Sequence, residues 1–236
     1  MNPDSNRIRD MFNNISGQYD FLNHFLSFGV DRNWRKRVVR EIRNHFHGDT
    51  KDLRVLDVAT GTGDLAIAVA GLGPAEICGI DIAASMMDIG KDKVYLRGLQ
   101  NLISFEELHA EKIPYPDGTF DAVTVAFGVR NFEDLVKGLS EMNRVMKPGG
   151  ILLVLEFSHP RAFPFRQLYT FYSRFIIPFV GRLISGNRDA YTYLPESVAA
   201  FPSGKDFLRI LEGCGLKSVK QVPLTMGIAS VYTAEK

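Results

Sequence analysis

Between residues 53 and 157 the apolar positions alternate between two rhythms. Short aliphatic runs give way to longer stretches in which apolar residues fall at helical spacing, and then return. Leu53-Arg54-Val55-Leu56-Asp57-Val58 reads as a buried strand, 63–71 as a helix, 75–81 as a strand, and 84–97 as a helix with apolar Met86, Met87, Ile89, Val94 and Leu96. Residues 102–106, 120–126 and 151–157 are further strands. Residues 133–147 form a further helix, stopped by Lys147-Pro148-Gly149-Gly150. Strands and helices alternating at this spacing predict an α/β fold, a mostly parallel, doubly wound sheet covered on both faces. Downstream, 163–184 is aromatic and helix-like, 188–202 is irregular, and 204–213 is a helix. Residues 216–222 and 226–234, separated by Pro223, bring the strands to seven. Residues 1–50 read as helices with loops.

Composition sharpens this picture chiefly through its distribution. The 236 residues balance 28 Lys+Arg against 27 Asp+Glu, with 45% hydrophobic residues, as an ordinary globular chain does. Residues 1–51 carry a net +3, residues 52–156 a net −7 and residues 157–236 a net +5. An acidic middle between basic flanks points to a partner, while the average excludes nucleic acid as an obvious one. Two cysteines, Cys78 and Cys214, are too few for a disulfide framework or a zinc site. The polar start lacks a secretory pattern, so a cytoplasmic chain is expected. The most apolar stretch, Phe171 to Ile184, is broken by Arg174 and Arg182; it is suited to lying on a membrane rather than crossing it.

Candidate chemistry begins where the first strand ends. Asp57-Val58-Ala59-Thr60-Gly61-Thr62-Gly63-Asp64 leads from that strand into a helix. Its glycines let backbone approach a ligand. Gly61-x-Gly63-x-x-Ala66 also satisfies a dinucleotide fingerprint, so the motif alone also permits an NAD-dependent oxidoreductase or a merely structural turn. Asp81, ending the second strand, is placed to accept hydrogen bonds from ribose hydroxyls, or else to cap the next helix. His109 and Ala110, after the third strand, are placed to read an adenine edge.

Taken together, Leu56 through Asp64, Asp81, Phe120-Asp121-Ala122-Val123 and Val145-Met146-Lys147-Pro148-Gly149-Gly150 resemble the class I, Rossmann-like S-adenosylmethionine-dependent methyltransferases. More narrowly, two stretches look like signatures of the quinone C-methyltransferases, the demethylmenaquinone and polyprenyl-benzoquinol family. One is Tyr19-Asp20-Phe21-Leu22-Asn23 with Leu26-Ser27 and Trp34; the other is Arg144 to Gly150 running into Leu155-Glu156-Phe157-Ser158. Phe127-Gly128-Val129-Arg130-Asn131-Phe132 and Tyr191-x-Tyr193-Leu194-x-x-Ser197 are also typical, and the likeness spans residues 15 to 235. Leu22, Asp31, Ala126 and His109 depart from the family's usual residues, which leaves Asp31 without an assigned role and shifts adenine recognition toward the Ala110 backbone.

The resemblance implies S-adenosyl-L-methionine as cofactor, held by Asp57, Gly61, Thr62, Gly63, Asp81, His109 and Ala110, and it implies no metal. It implies a lipid quinol as acceptor, demethylmenaquinol or, alternatively, 2-methoxy-6-polyprenyl-1,4-benzoquinol. An oxidised ring is too electron-poor to attack a methyl group, so the acceptor is expected in its reduced form. Arg130, Asn131, Tyr193 and Asp20 are the catalytic candidates, Arg130 as a cation for a phenolate. The expected organisation is one domain: a helical cover at 1–50, a cofactor-binding core at 51–157, a substrate-covering insertion at 158–203, and a closing helix and strands at 204–236. Residues 157–188 interleave aromatics with five arginines and no acid, a composition suited to peripheral contact with the inner face of a membrane. The alternative for that segment is a packed helical cover. Oligomerisation stays open.

Overall fold

The structure is a computed structural model that describes residues 4–27, 29–160, 163–171 and 188–236. Its centre is a seven-stranded sheet. The strands are β1 (Arg54–Val58), β2 (Glu76–Asp81), β3 (Ile103–Glu107), β4 (Phe120–Ala126), β5 (Met146–Phe157), β6 (Lys217–Leu224) and β7 (Ala229–Glu235), in the order β3-β2-β1-β4-β5-β7-β6. β1 to β5 run parallel, and β7 enters antiparallel between β5 and β6. The order reverses at β1, and in open α/β sheets ligands bind in the crevice outside the carboxyl ends of the strands at such a reversal.

The strand pleat divides the core into two layers. Leu56, Val58, Phe120, Val123, Leu152 and Tyr232 face one side, where α5 (Leu135–Val145) and α8 (Lys205–Gly213) bury Leu139, Met142, Phe207 and Leu211. Val55, Ile77, Ala122, Leu153 and Val231 face the other. There α2 (Asp31–His45), α3 (Asp64–Ala70) and α4 (Ala84–Leu96) contribute Trp34, Val38, Ile42, Leu65, Val69 and Val94. Runs such as Leu152-Leu153-Val154-Leu155 are apolar at every position because both faces are covered. The Asp134 side chain caps α5 by accepting the Lys137 N–H at 2.9 Å.

Three local expectations change. Residues 188–202 are not irregular: Arg188–Ala200 forms a helix, α7, with Pro195 inside it. The buried Ser197 and Val198, and Phe201 just beyond, show that tertiary packing outweighs the hydrogen bond that proline removes. Pro223 does not separate two strands but lies within β6, opposite Ser230. That position is tolerated because β6 is the sheet edge. The helix before Pro148 ends at Val145, and β5 starts at Met146, with a register shift against β4 between Phe120 and Ala122. In the segment 163–184, α6 covers Phe165–Phe171, and 172–184 lies outside the described residues.

Candidate active site

The turn after β1 bends through three left-handed residues, Ala59 (φ 52°), Gly61 (φ 56°) and Gly63 (φ 75°). A Cβ at Gly63 would lie 2.9 Å from the Phe105 ring, so glycine is required there by space as well as by conformation. Beneath the turn, Asp57 accepts hydrogen bonds from the Thr60 and Thr124 hydroxyls, each at 2.7 Å. Burial pushes its carboxyl up to about 6, against those two hydroxyls. Asp81 accepts the Gly61 N–H at 2.8 Å and the Ala83 N–H at 2.9 Å, one on each oxygen. Burial raises it as well, the backbone donors opposing. A carboxylate has about four acceptor positions, so capacity remains beyond these backbone donors for a further one.

These residues open onto a cleft of about 640 Å³, part of it open to solvent, whose walls include Gly61, Asp81, His109, Ala110 and Asn131. The opposite wall is α1 (Ser5–Leu26), which presents Ser5, Ile8, Phe12 and Tyr19 from one helical face. A smaller cleft adjoins it, lined by Arg35, Asp57, Thr60, Thr62 and Asp64. Tyr19, Ala59, Gly61, Ala126 and Phe127 border both. Phe127 is a non-glycine residue at φ 57°, with its ring 4.5 Å from that of Phe157.

Polar bonds fasten α1 over the clefts. Asp20 accepts the Thr62 hydroxyl at 2.6 Å and pairs with Lys93 at 2.5 Å, and Lys93 also reaches Asp64 at 2.7 Å. Arg35 bridges Asp31 and Asp64, and His24 meets Asp31 at 2.6 Å. Although burial acts to raise Asp64, Arg35 and Lys93 hold it below the ordinary carboxylate value. His24, Asp31 and Asp64 bring ligand-type atoms within 4.8 Å of one another, and Arg35 supplies the balancing cation.

The predicted residues thus separate into groups. Asp57, Gly61, Thr62, Asp81, His109 and Ala110 line the clefts, and Gly63 shapes the turn. Asn131 lines the larger cleft and accepts the Tyr193 hydroxyl at 2.9 Å, which brings two of the candidates together. Burial raises the Tyr193 phenol. Asp20 lines neither cleft and is spent on Thr62 and Lys93. Arg130 lies behind the wall. Its side chain is 5% exposed and is paired at 2.8 Å with Glu156, which is fully buried, and its Nη1 also donates to the Phe127 carbonyl. Arg130 Nε and Glu156 Oε2 have no partner among the described residues. Burial raises the Glu156 carboxyl, with Arg130 opposing. Neither an exposed ion-pair former nor a free cation facing a ligand describes Arg130.

Sequence reading missed Arg35, Lys93, Glu156 and the α1 stripe. Glu156 carried a signal, a lone charge in the apolar run 151–157. Arg35 carried a faint one, a cation in step with Asp31, Trp34, Val38 and Ile42 on the buried face of α2, and Lys93, next to buried Val94, carried none.

The residues present fit S-adenosylmethionine: a glycine turn without side chains, a carboxylate with free lone pairs, and an acidic surround for a sulfonium. Comparison with known proteins agrees. A model of the ubiE/COQ5 methyltransferase family matches residues 1–236. The chain is 44% identical over 233 residues to a demethylmenaquinone methyltransferase of Bacteroides fragilis, covering 98% of this chain and 93% of that one. It is 47% identical over 232 residues to the ubiquinone/menaquinone biosynthesis C-methyltransferase of Geobacter sulfurreducens, covering 98% and 88%. Among solved structures, the magnesium protoporphyrin IX methyltransferase of Synechocystis superposes with a TM-score of 0.69 at 16% identity, covering 99% and 100% of the two chains. The [4+2]-cyclase SpnF superposes at 0.68 and 20% identity, covering 99% and 97%. At such identities these two speak for the fold alone. The family match removes the oxidoreductase reading that the glycine turn left open: the chain is an S-adenosylmethionine-dependent methyltransferase and belongs to the ubiE/COQ5 family.

Proposed function

We propose that the protein methylates a ring carbon of a reduced polyprenyl quinol, converting demethylmenaquinol to menaquinol. The observation that carries this reading is the position of Asn131. With the Tyr193 hydroxyl on its amide oxygen, it borders the same cleft as Asp81 and the glycine turn, so an amide held by a tyrosine from behind faces the cofactor's cleft. The cofactor, held by Gly61, Asp81, His109 and Ala110 and by the smaller cleft, supplies an electrophilic methyl group. A quinol hydroxyl that has lost its proton pushes electron density onto the neighbouring ring carbon. That carbon forms the new C–C bond as the methyl group's bond to the sulfonium sulfur breaks, the sulfur keeping the electron pair, and the ring hydrogen leaves as a proton, restoring the aromatic ring. Asn131 holds the ring oxygen, and Tyr193 fixes the amide's orientation. Arg130, neutralised by Glu156, acts from behind through the Phe127 carbonyl, and Asp20 acts by keeping α1 in place. Phe12, Tyr19 and Phe127 keep the reacting atoms away from water.

The tail and the membrane fall to the downstream flank. Phe163 (81% exposed), Phe171 (58%) and Met226 (65%) are apolar side chains left in solvent, and the first two flank exposed Arg166. Arg174 and Arg182, which extend the pattern, lie outside the described residues, and no helix among the described residues is long and apolar enough to cross a membrane. We propose that this flank rests on an anionic lipid surface from which the quinol enters.

The test is transfer of labelled methyl groups to demethylmenaquinol and to the benzoquinol side by side, each under reducing and oxidising conditions. Faster turnover of the reduced naphthoquinol supports the reading. Equal rates with the rigorously oxidised ring would refute the mechanism, and a preference for the benzoquinol would reassign the substrate. Charge reversal of Arg166, Arg174 and Arg182 is expected to release the protein from phosphatidylglycerol vesicles in co-sedimentation; unchanged binding overturns the membrane proposal.

A further inference from the structure

The amino-acid end of S-adenosylmethionine carries two charges, and the clefts meet them unevenly. Asp57 and Asp64 border the smaller cleft, so acids for an ammonium are at hand. For a carboxylate the choice is narrow: among the described residues that line either cleft, Arg35 is the one lysine or arginine. Lys93 is close, but its ammonium is engaged by Asp20, Asp64 and Thr62, one partner for each of its donors.

Arg35 differs from Lys93 in how it is used. Asp31 (2.5 Å) and Asp64 (2.8 Å) both take the same nitrogen, Nη2. The guanidinium has five N–H donors, and Nε and Nη1 make no bond among the described residues. The two acids therefore fix the plane of the group by taking Nη2, and they leave the N–H groups of Nη1 and Nε for a further acceptor. A guanidinium held this way offers a carboxylate the charge-assisted N–H groups of Nη1.

We infer that Arg35 binds the carboxylate of the cofactor's amino-acid end in the smaller cleft, with Asp31 and Asp64 as the residues that aim it. The assignment gives Asp31 a purpose that its sequence position did not suggest. The inference rests on the S-adenosylmethionine reading of the cleft and is independent of the acceptor. Its test needs no turnover. Calorimetric titration of the full chain, without quinol, compares S-adenosylmethionine with its decarboxylated analogue, in wild type, Arg35→Gln and Arg35→Lys. Wild type should prefer the carboxylated ligand by about 30-fold or more, and R35Q should lose about that factor for S-adenosylmethionine, some 2 kcal/mol, while its affinity for the analogue stays within about twofold. R35K, which keeps the charge but has a single nitrogen to share between the two acids and the ligand, should fall between. Equal weakening of both ligands in R35Q would make Arg35 a strut and overturn the inference. So would a wild-type chain that binds both ligands alike, a result that needs no variant to fold. A wild-type chain that binds neither would instead strike at the cofactor reading itself.

Discussion

Removing Arg130 is expected to damage the fold before it damages the chemistry. Its side chain is 5% exposed, that of Glu156 is not exposed at all, and they meet at 2.8 Å. Arg130→Met would leave the Glu156 carboxylate with the Phe157 N–H but no counter-charge. Breaking a buried pair from one side costs about 3–5 kcal/mol, because a desolvated charge remains. In a domain of 236 residues, at about 2–4 °C for each kcal/mol, the melting temperature should drop by about 6–20 °C. Glu156→Leu should cost a similar amount from the other side. The double variant R130M/E156L removes both charges with side chains of similar bulk and should lie within about 2 kcal/mol of wild type, far from the sum of the singles. Urea melts at constant slope measure all four corners of the cycle. Singles that each cost under about 1 kcal/mol, or a double variant that is simply additive, would refute the reasoning. Turnover of the double variant separates the roles. With stability restored we expect a rate within about tenfold of wild type, while a loss of about 100-fold would place Arg130 on the acceptor.

Asp57 predicts a pH dependence. Its carboxyl rises from the model-compound value of 3.8 to about 6, so the native state holds a proton that the unfolded chain has released. The stability this confers is present below about pH 4 and lost as pH rises through 6, about 3 kcal/mol in all, and Asp57→Asn should flatten that slope in urea melts taken from pH 4 to 7. Because a cationic ligand favours the ionised carboxylate, S-adenosylmethionine affinity should weaken as pH falls below 6; calorimetry showing no change would remove Asp57 from the site. Gly128→Ala would place a Cβ 2.5 Å from that of Ala59, so we expect a cost of about 1–3 kcal/mol and weaker cofactor binding together, read by melting with and without ligand. Tyr193→Phe removes the 2.9 Å bond to Asn131 and should slow methyl transfer by about tenfold with cofactor affinity unchanged.

How much of this could be read beforehand follows from the range of the interactions involved. Strand and helix periodicity, the glycine turn and Asp81 are local patterns, and each lies where it was expected. α7 was hidden because Pro195 outweighs its neighbours in any local reading, whereas the protein settles the matter through the burial of Val198 and Phe201. The polar network was illegible for a stronger reason. Asp20 and Thr62 are 42 positions apart, and Arg35 and Asp64 are 29 apart, on helices whose surface charges look like ordinary solvated ones. Only the fold brings them together. Arg130 shows the reverse: its motif was plain, but the buried partner that changes its meaning stands 26 positions away, on the next strand.

The late position of β7 carries a consequence for synthesis. Val231 and Tyr232, fully buried, belong to the last strand in sequence, yet that strand lies between β5 and β6 and pairs with both. Until it emerges from the ribosome, β5 presents an unpaired apolar edge and β6 has no neighbour to pair with, so the sheet is finished only by its final seven-residue strand. A nascent chain stalled before residue 229 would expose that edge to other chains, which makes the closing strand a checkpoint between a folded protein and an aggregating one.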